Sequence, residues 1–152
     1  MHEPTSPIGN AVACLDETLA SHSANVDEGG GIDRFGSSVI RVHTAPIPQP
    51  GPRQILIQLF TAGVGEWDES IRDGLWRPDG RAKFPLILGT DGAGIVVMKG
   101  ARVRRFRVGD RAYGYAAGNA KGGFYAEYVV LNEREAAPAP RGLDLLQAEP
   151  AP

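Results

Sequence analysis

Few side chains in this sequence carry types and spacings from which chemistry could be built. The patch Gly89-Thr90-Asp91-Gly92-Ala93-Gly94 has the small residues that let backbone amides approach a phosphate. Its order is Gly-x-x-Gly-x-Gly and no helical pattern follows, so it is not a dinucleotide fingerprint. The glycines read instead as tight turns and close strand packing. Lys99, Arg102, Arg104, Arg105, Arg107 and Arg111 form a basic run with the charge to hold a polyanion. Phe106 is its one interleaved aromatic, and the whole chain sets 16 basic against 18 acidic residues. The run therefore reads as a solvated turn rather than a nucleic-acid patch. Metal chemistry is poorly supplied: Cys14 is the single cysteine, and His2, His22 and His43 fall in no ligand spacing. Tyr113, Tyr125 and Tyr128 alternate with apolar neighbours and read as strand residues, and Asp110 as a turn residue that accepts backbone N–H groups.

The elements that must position these groups are short. The sequence has 152 residues with 20 Gly and 12 Pro, which favours turns and strands over long helices and is enough for one domain with tails. Strands are predicted over residues 39–42, 54–60, 86–88, 95–98, 112–115 and 124–131. Pro46, Pro48, Pro50, Gly51 and Pro52 force an extended connection between the first two. One short helix fits 66–73. Trp67 and Ile71 share a face there, Asp68 caps the helix or pairs with Arg72 at i,i+4, and Gly74 suits the C-terminal cap. A weaker helical signal follows Asn10 through Val12, Leu15 and Leu19, and a weak first strand lies around 24–28. Gly29-Gly30-Gly31 reads as a flexible break. The fold class is mainly β, a small, partly open barrel with one or two short helices. It comprises a partly flexible extension (1–37), the barrel (38–137) and a Pro/Ala-rich linker (138–152). No apolar run approaches the roughly 20 residues that cross a bilayer, and Glu3, Asp16 and Glu17 interrupt any signal-peptide layout. The expectation is a soluble, cytoplasmic chain with neither nucleic acid nor membrane as partner.

Four motifs, in order, carry a family resemblance. They are the segment PIPQPGPRQILIQLFTAGVGEWD, then Asp68 with Ile71-Arg72-Asp73-Gly74, then Pro85, Gly89, Gly94 and Val108-Gly109-Asp110-Arg111, and last Gly122-Gly123-Phe124-Tyr125-Ala126-Glu127-Tyr128. Together they resemble the GroES-like catalytic domain of the medium-chain dehydrogenase/reductase superfamily, over roughly residues 38–146. Ala112 stands where Val is usual. The positions that bind catalytic zinc in metal-dependent members are filled here by Gly65, Thr90 and Asp91. Glycine offers no ligand atom, threonine is a poor one, and one aspartate cannot hold zinc alone. The four-cysteine structural-zinc loop is missing as well. The resemblance thus points to the zinc-independent, quinone-oxidoreductase-like branch.

That branch implies reduction of quinones, enones or related carbonyls by NADPH, with the cleft supplying position and polarity rather than a Lewis acid. The implied cleft residues are Gly65, Glu66, Trp67, Asp68, Thr90 and Asp91. Thr90 and Tyr115 are the candidate catalytic hydroxyls, and Gly65 and Asp68 candidate contacts to the cofactor. Relatives often carry Asn at the position of Gly65. The family's full enzymes place a Rossmann domain after the linker, and no strand followed by Gly-x-Gly-x-x-Gly occurs in these residues. Hydride transfer by this chain alone is therefore not expected, and a homo-oligomer or a separate nucleotide-binding chain enters as a partner. The alternative is a free-standing GroES-like module used for binding or oligomerisation without catalysis.

Overall fold

A computed structural model of the chain describes residues 26–36, 38, 40–76, 83–118, 122–140, 142, 144 and 145. Two antiparallel sheets build the domain. The smaller has strand order β2-β1-β4, from β1 (Val26–Ile32), β2 (Arg41–Pro46) and β4 (Leu86–Ile87). The larger has order β7-β3-β5-β6-β8, from β3 (Gln54–Ala62), β5 (Asp91–Lys99), β6 (Arg111–Tyr115), β7 (Tyr128–Asn132) and β8 (Ala136–Pro138). One helix, α1 (Glu66–Arg72), follows β3 among the described residues. The larger sheet curls around Ile55, Ile57, Val96, Phe106, Phe124, Val129 and Leu131, all at most 1% exposed. A mainly β half-barrel results, and alternate residues of β3, β5 and β7 fill it because successive strand side chains face opposite ways.

Several expectations need correction. Gly29, Gly30 and Gly31 are not a flexible break: they lie inside β1, paired with His43, Val42 and Arg41. A Cβ on Gly31 would sit 2.6 Å from the Leu86 carbonyl oxygen, so the glycines are what let β1 fit tightly between β2 and β4. The weak strand expected around 24–28 overlaps β1 at residues 26–28, and the strand predicted over 39–42 is displaced to Arg41–Pro46, the stretch that pairs with β1. Residues 124–126 do not open the last strand. Phe124 N donates to Gly89 O, Tyr125 N to Leu88 O and Gly30 N to Tyr125 O, so the segment joins the two sheets, and regular pairing with β3 begins only at Tyr128. Arg72 does not pair with Asp68; it reaches Glu69 and Asp73, both at 3.0 Å. The helical signal after Asn10 falls outside the described residues.

β1 is fastened to the start of β7 by carboxylates. Asp27 Oδ1 accepts from the N–H groups of Glu127 and Tyr128, and Glu127 Oε2 accepts from Glu28 N. Burial pushes the Asp27 carboxyl up to about 6, against the lowering effect of the two amides. A raised folded-state value means that Asp27 favours folding when protonated. Its contribution is full below the ordinary value of 3.8 and is lost as pH rises through about 6. Denaturation from pH 4 to 7 should therefore show the wild type losing stability relative to Asp27→Asn as pH rises; a pH-independent difference would contradict this.

A candidate active-site cleft

The turn Gly63-Val64-Gly65 between β3 and α1 anchors the candidate site. A Cβ on Gly63 would collide with the Asp91 carboxylate, and a Cβ on Gly65 would collide with the Trp67 indole. Bare backbone at 63 and 65 is thus what admits a carboxylate on one side and an aromatic ring on the other. Gly65 is also the N-cap of α1, where its N–H donates to Asp68 Oδ2 at 2.9 Å, the reciprocal half of a capping box. Trp67 is 40% exposed and Glu66 is exposed, while Ile71, one turn on, packs against Ile32 and Leu88 to seat the helix.

Asp68 is 6% exposed and does more than cap. Its Oδ2 also accepts from the Tyr125 hydroxyl at 3.1 Å, across 57 residues of sequence. Its Oδ1 is buried with no hydrogen-bond partner among the described residues. Burial first, then the charge and hydrogen bond of Asp68 and the charge of Asp91, push the Tyr125 phenol well above its usual value. Tyr125 is therefore a permanent donor at neutral pH. No local sequence signal identified this role; the pair is made only when the 124–126 segment crosses beneath α1.

Thr90 and Asp91 precede and open β5. Thr90 is 1% and Asp91 5% exposed, and the Thr90 hydroxyl donates to Asp91 Oδ1 at 3.0 Å. The Thr90 proton is thus directed at Asp91. Tyr115 lies opposite Asp91 in the β5–β6 register and is 52% exposed, so its hydroxyl is the accessible one of the two candidates. The structure accordingly brings Gly65, Trp67 and Asp68 together on one turn, joins Asp91 to that turn through Gly63, and adds Thr90 and Tyr115 beside Asp91. Glu66, on the same turn, is exposed. An open groove of about 330 Å³ lies next to this cluster, lined by Glu28, β3 from Leu59 to Ala62 and residues 124–127, with Tyr125 common to both.

The donor set does not fit zinc. Gly65 has no ligand atom, the Thr90 hydroxyl is already engaged, and no three His, Cys, Asp or Glu side chains converge among the described residues. Nor do the described residues fit the pyrophosphate of a dinucleotide: α1 is seven residues long and the N–H of its N-cap, Gly65, is taken by Asp68. What remains is a polar floor of Asp68, Asp91 and Thr90, a phenol held as a donor, and an exposed indole face at the rim.

This fold and cleft define a GroES-like barrel of the dehydrogenase type. The sequence profile of the alcohol dehydrogenase GroES-like domain matches residues 51–141, and the chain belongs to that family, within the quinone-oxidoreductase-like branch of the medium-chain dehydrogenase/reductase superfamily. It is 36% identical over 99 residues to the chloroplastic quinone-oxidoreductase QR1 of Triphysaria versicolor, covering 65% of this chain and 30% of that protein. It is 36% identical over 113 residues to a quinone oxidoreductase of Pseudomonas aeruginosa, covering 74% and 33%. Among solved structures, the quinone oxidoreductase of Coxiella burnetii superposes with a TM-score of 0.72 at 27% identity, over 84% of this chain and 41% of that one. The chain spans about a third of the length of these curated relatives. Among the described residues no helix is long and apolar enough to cross a membrane.

Proposed function

We propose that this chain forms the substrate side of an NADPH-dependent, zinc-independent oxidoreductase that reduces quinones, enones or related conjugated carbonyls. The observation that carries the reading is the turn 63–65. The Trp67 ring and the Asp91 carboxylate occupy the space that side chains at Gly65 and Gly63 would need, so a ligating side chain at position 65 has no room beside the indole. A flat conjugated ring fits against an indole face. The hydroxyl of Tyr115, whose backbone pairs with Asp91, would donate to the oxygen on which charge develops. The nicotinamide would supply hydride, and since the described residues offer it no phosphate cradle, it is held by a nucleotide-binding unit outside this domain.

The test is NADPH consumption in the presence of a chelator, with benzoquinone, a conjugated enone and a simple aldehyde as acceptors. Turnover of quinone or enone that is indifferent to the chelator, and that appears only when a nucleotide-binding chain accompanies this one, supports the reading. Turnover that needs added zinc would overturn the metal-free assignment. Turnover by the 152-residue chain alone would place the nucleotide site within it. Tyr115→Phe is expected to lower kcat by about 10- to 100-fold with little change in KM, as for loss of a donor used in the transition state.

A further inference from the structure

We propose that the end of the barrel carrying the β5–β6 loop docks on the anionic surface of a lipid bilayer. Three segments are stitched together there. Arg102 N donates to Pro52 O at 2.7 Å and Glu133 N to Arg53 O at 3.0 Å, while Glu133 Oε2 accepts from the backbone N–H groups of Arg104 and Arg105. This joins the turn before β3, the loop after β5 and the β7–β8 turn at one end. It gathers the exposed side chains of Arg53, Lys99, Arg102, Arg104, Arg107 and Arg134. None of these six is in an ion pair among the described residues. Arg105 is occupied by the Glu133 carbonyl and lies over the Phe106 ring.

Three carboxylates in these segments offset part of this charge, Glu133 acting on Arg53 and Arg105, and all three are held by backbone N–H groups. Glu133 takes the two amides, which hold its carboxyl below the usual range; Asp110 Oδ2 accepts from Arg107 N, and Glu135 Oε2 from Asn132 N. The formal charge of −2 for the whole chain thus conceals a segregated distribution, with a cation excess at one end. Charges farther off than a Debye length, about 8–10 Å at ordinary salt, do not cancel such a patch at a surface.

One apolar side chain decides the kind of partner. Val108, 62% exposed, stands beside Arg107 and before Gly109. An apolar group beside guanidinium groups matches the boundary between phosphates and acyl chains. Single-stranded nucleic acid would want an exposed aromatic platform, and Phe106 is 1% exposed.

The experiment is co-sedimentation of the 152-residue chain with phosphatidylcholine vesicles with and without phosphatidylserine, at low and high salt. The expected result is binding at least about 10-fold tighter with phosphatidylserine, abolished by high salt, since each basic residue near an anionic surface contributes about fivefold. The Arg102→Glu, Arg104→Glu, Arg107→Glu triple variant should weaken it by more than about 100-fold without changing the unfolding midpoint. Val108→Asp should weaken vesicle binding several-fold more than it weakens binding to heparin, which has no apolar layer. Equal binding to both vesicle types, no binding to either, or binding to duplex RNA with none to vesicles would each overturn the proposal.

Discussion

Asp68→Ala should destabilise the domain by about 3 kcal/mol, because it removes two charge-assisted hydrogen bonds at once. The N–H of Gly65 loses its cap, worth about 1 kcal/mol, and the Tyr125 hydroxyl is left without its acceptor in a half-buried position. The two losses are mechanically linked: the carboxylate ties the start of α1 to the segment joining the sheets. Asp68→Asn separates the roles. The amide oxygen still accepts, and the amide nitrogen takes the place of one of the carboxylate oxygens, of which Oδ1 has no partner in the wild type. Urea denaturation should place Asp68→Asn well above Asp68→Ala in stability. The Tyr125 phenol, relieved of a neighbouring charge, should titrate lower in Asp68→Asn by ultraviolet absorbance. An alanine variant as stable as the wild type would mean that the cap and the phenol contact are incidental.

Gly94→Ala is expected to cost at least as much, about 3 kcal/mol or more, through overpacking of backbone rather than loss of a contact. Gly94 pairs with Leu59 at an irregularity in the β3–β5 register, where a Cβ would collide with the Gln58 carbonyl oxygen and approach the Ile57 side chain to 2.9 Å. The obstacle is backbone, so no rotamer change relieves it; β5 must move away from β3, and Asp91 at its start would move too. Hydrogen exchange should show the amides of β3 and β5 losing protection together. Gly109→Ala, at a position with φ +92 but open space around it, should by contrast cost only about 1 kcal/mol.

These two residues mark what could be read from the chain and what could not. The strands β3, β5 and β6 were legible because β-branched and apolar runs sit between Gly/Pro turns, and α1 because Trp67 and Ile71 recur one turn apart before Gly74. The motif order gave the family, and with it the positions of Gly65, Thr90 and Asp91. Strand β1 was only half legible: its first residues fall in the weak strand expected around 24–28, but Gly29-Gly30-Gly31 have the composition of a linker, and their strand state is imposed by β2 and β4 on either side. The Tyr125–Asp68 pair was hidden for a related reason. Alternation with apolar neighbours made Tyr125 look like a strand residue, while its actual neighbour is set by a crossing that no local pattern encodes. Likewise, the i,i+4 spacing of Asp68 and Arg72 suggested a surface ion pair, but burial of Asp68 turns it inward and leaves Arg72 to Glu69 and Asp73.

The proposed function requires that a planar conjugated carbonyl bind beside Trp67 without a metal. The direct measurement is a fluorescence titration of the chain with a quinone, run with a chelator and again with zinc, and repeated on Trp67→Phe so that Trp76 reports alone. The predicted result is a saturable change with a Kd on the order of 10–100 μM, about −5.5 to −7 kcal/mol, identical with chelator and with zinc and absent from Trp67→Phe. A response that never saturates, that survives loss of Trp67 unchanged, or that appears only with zinc would contradict it.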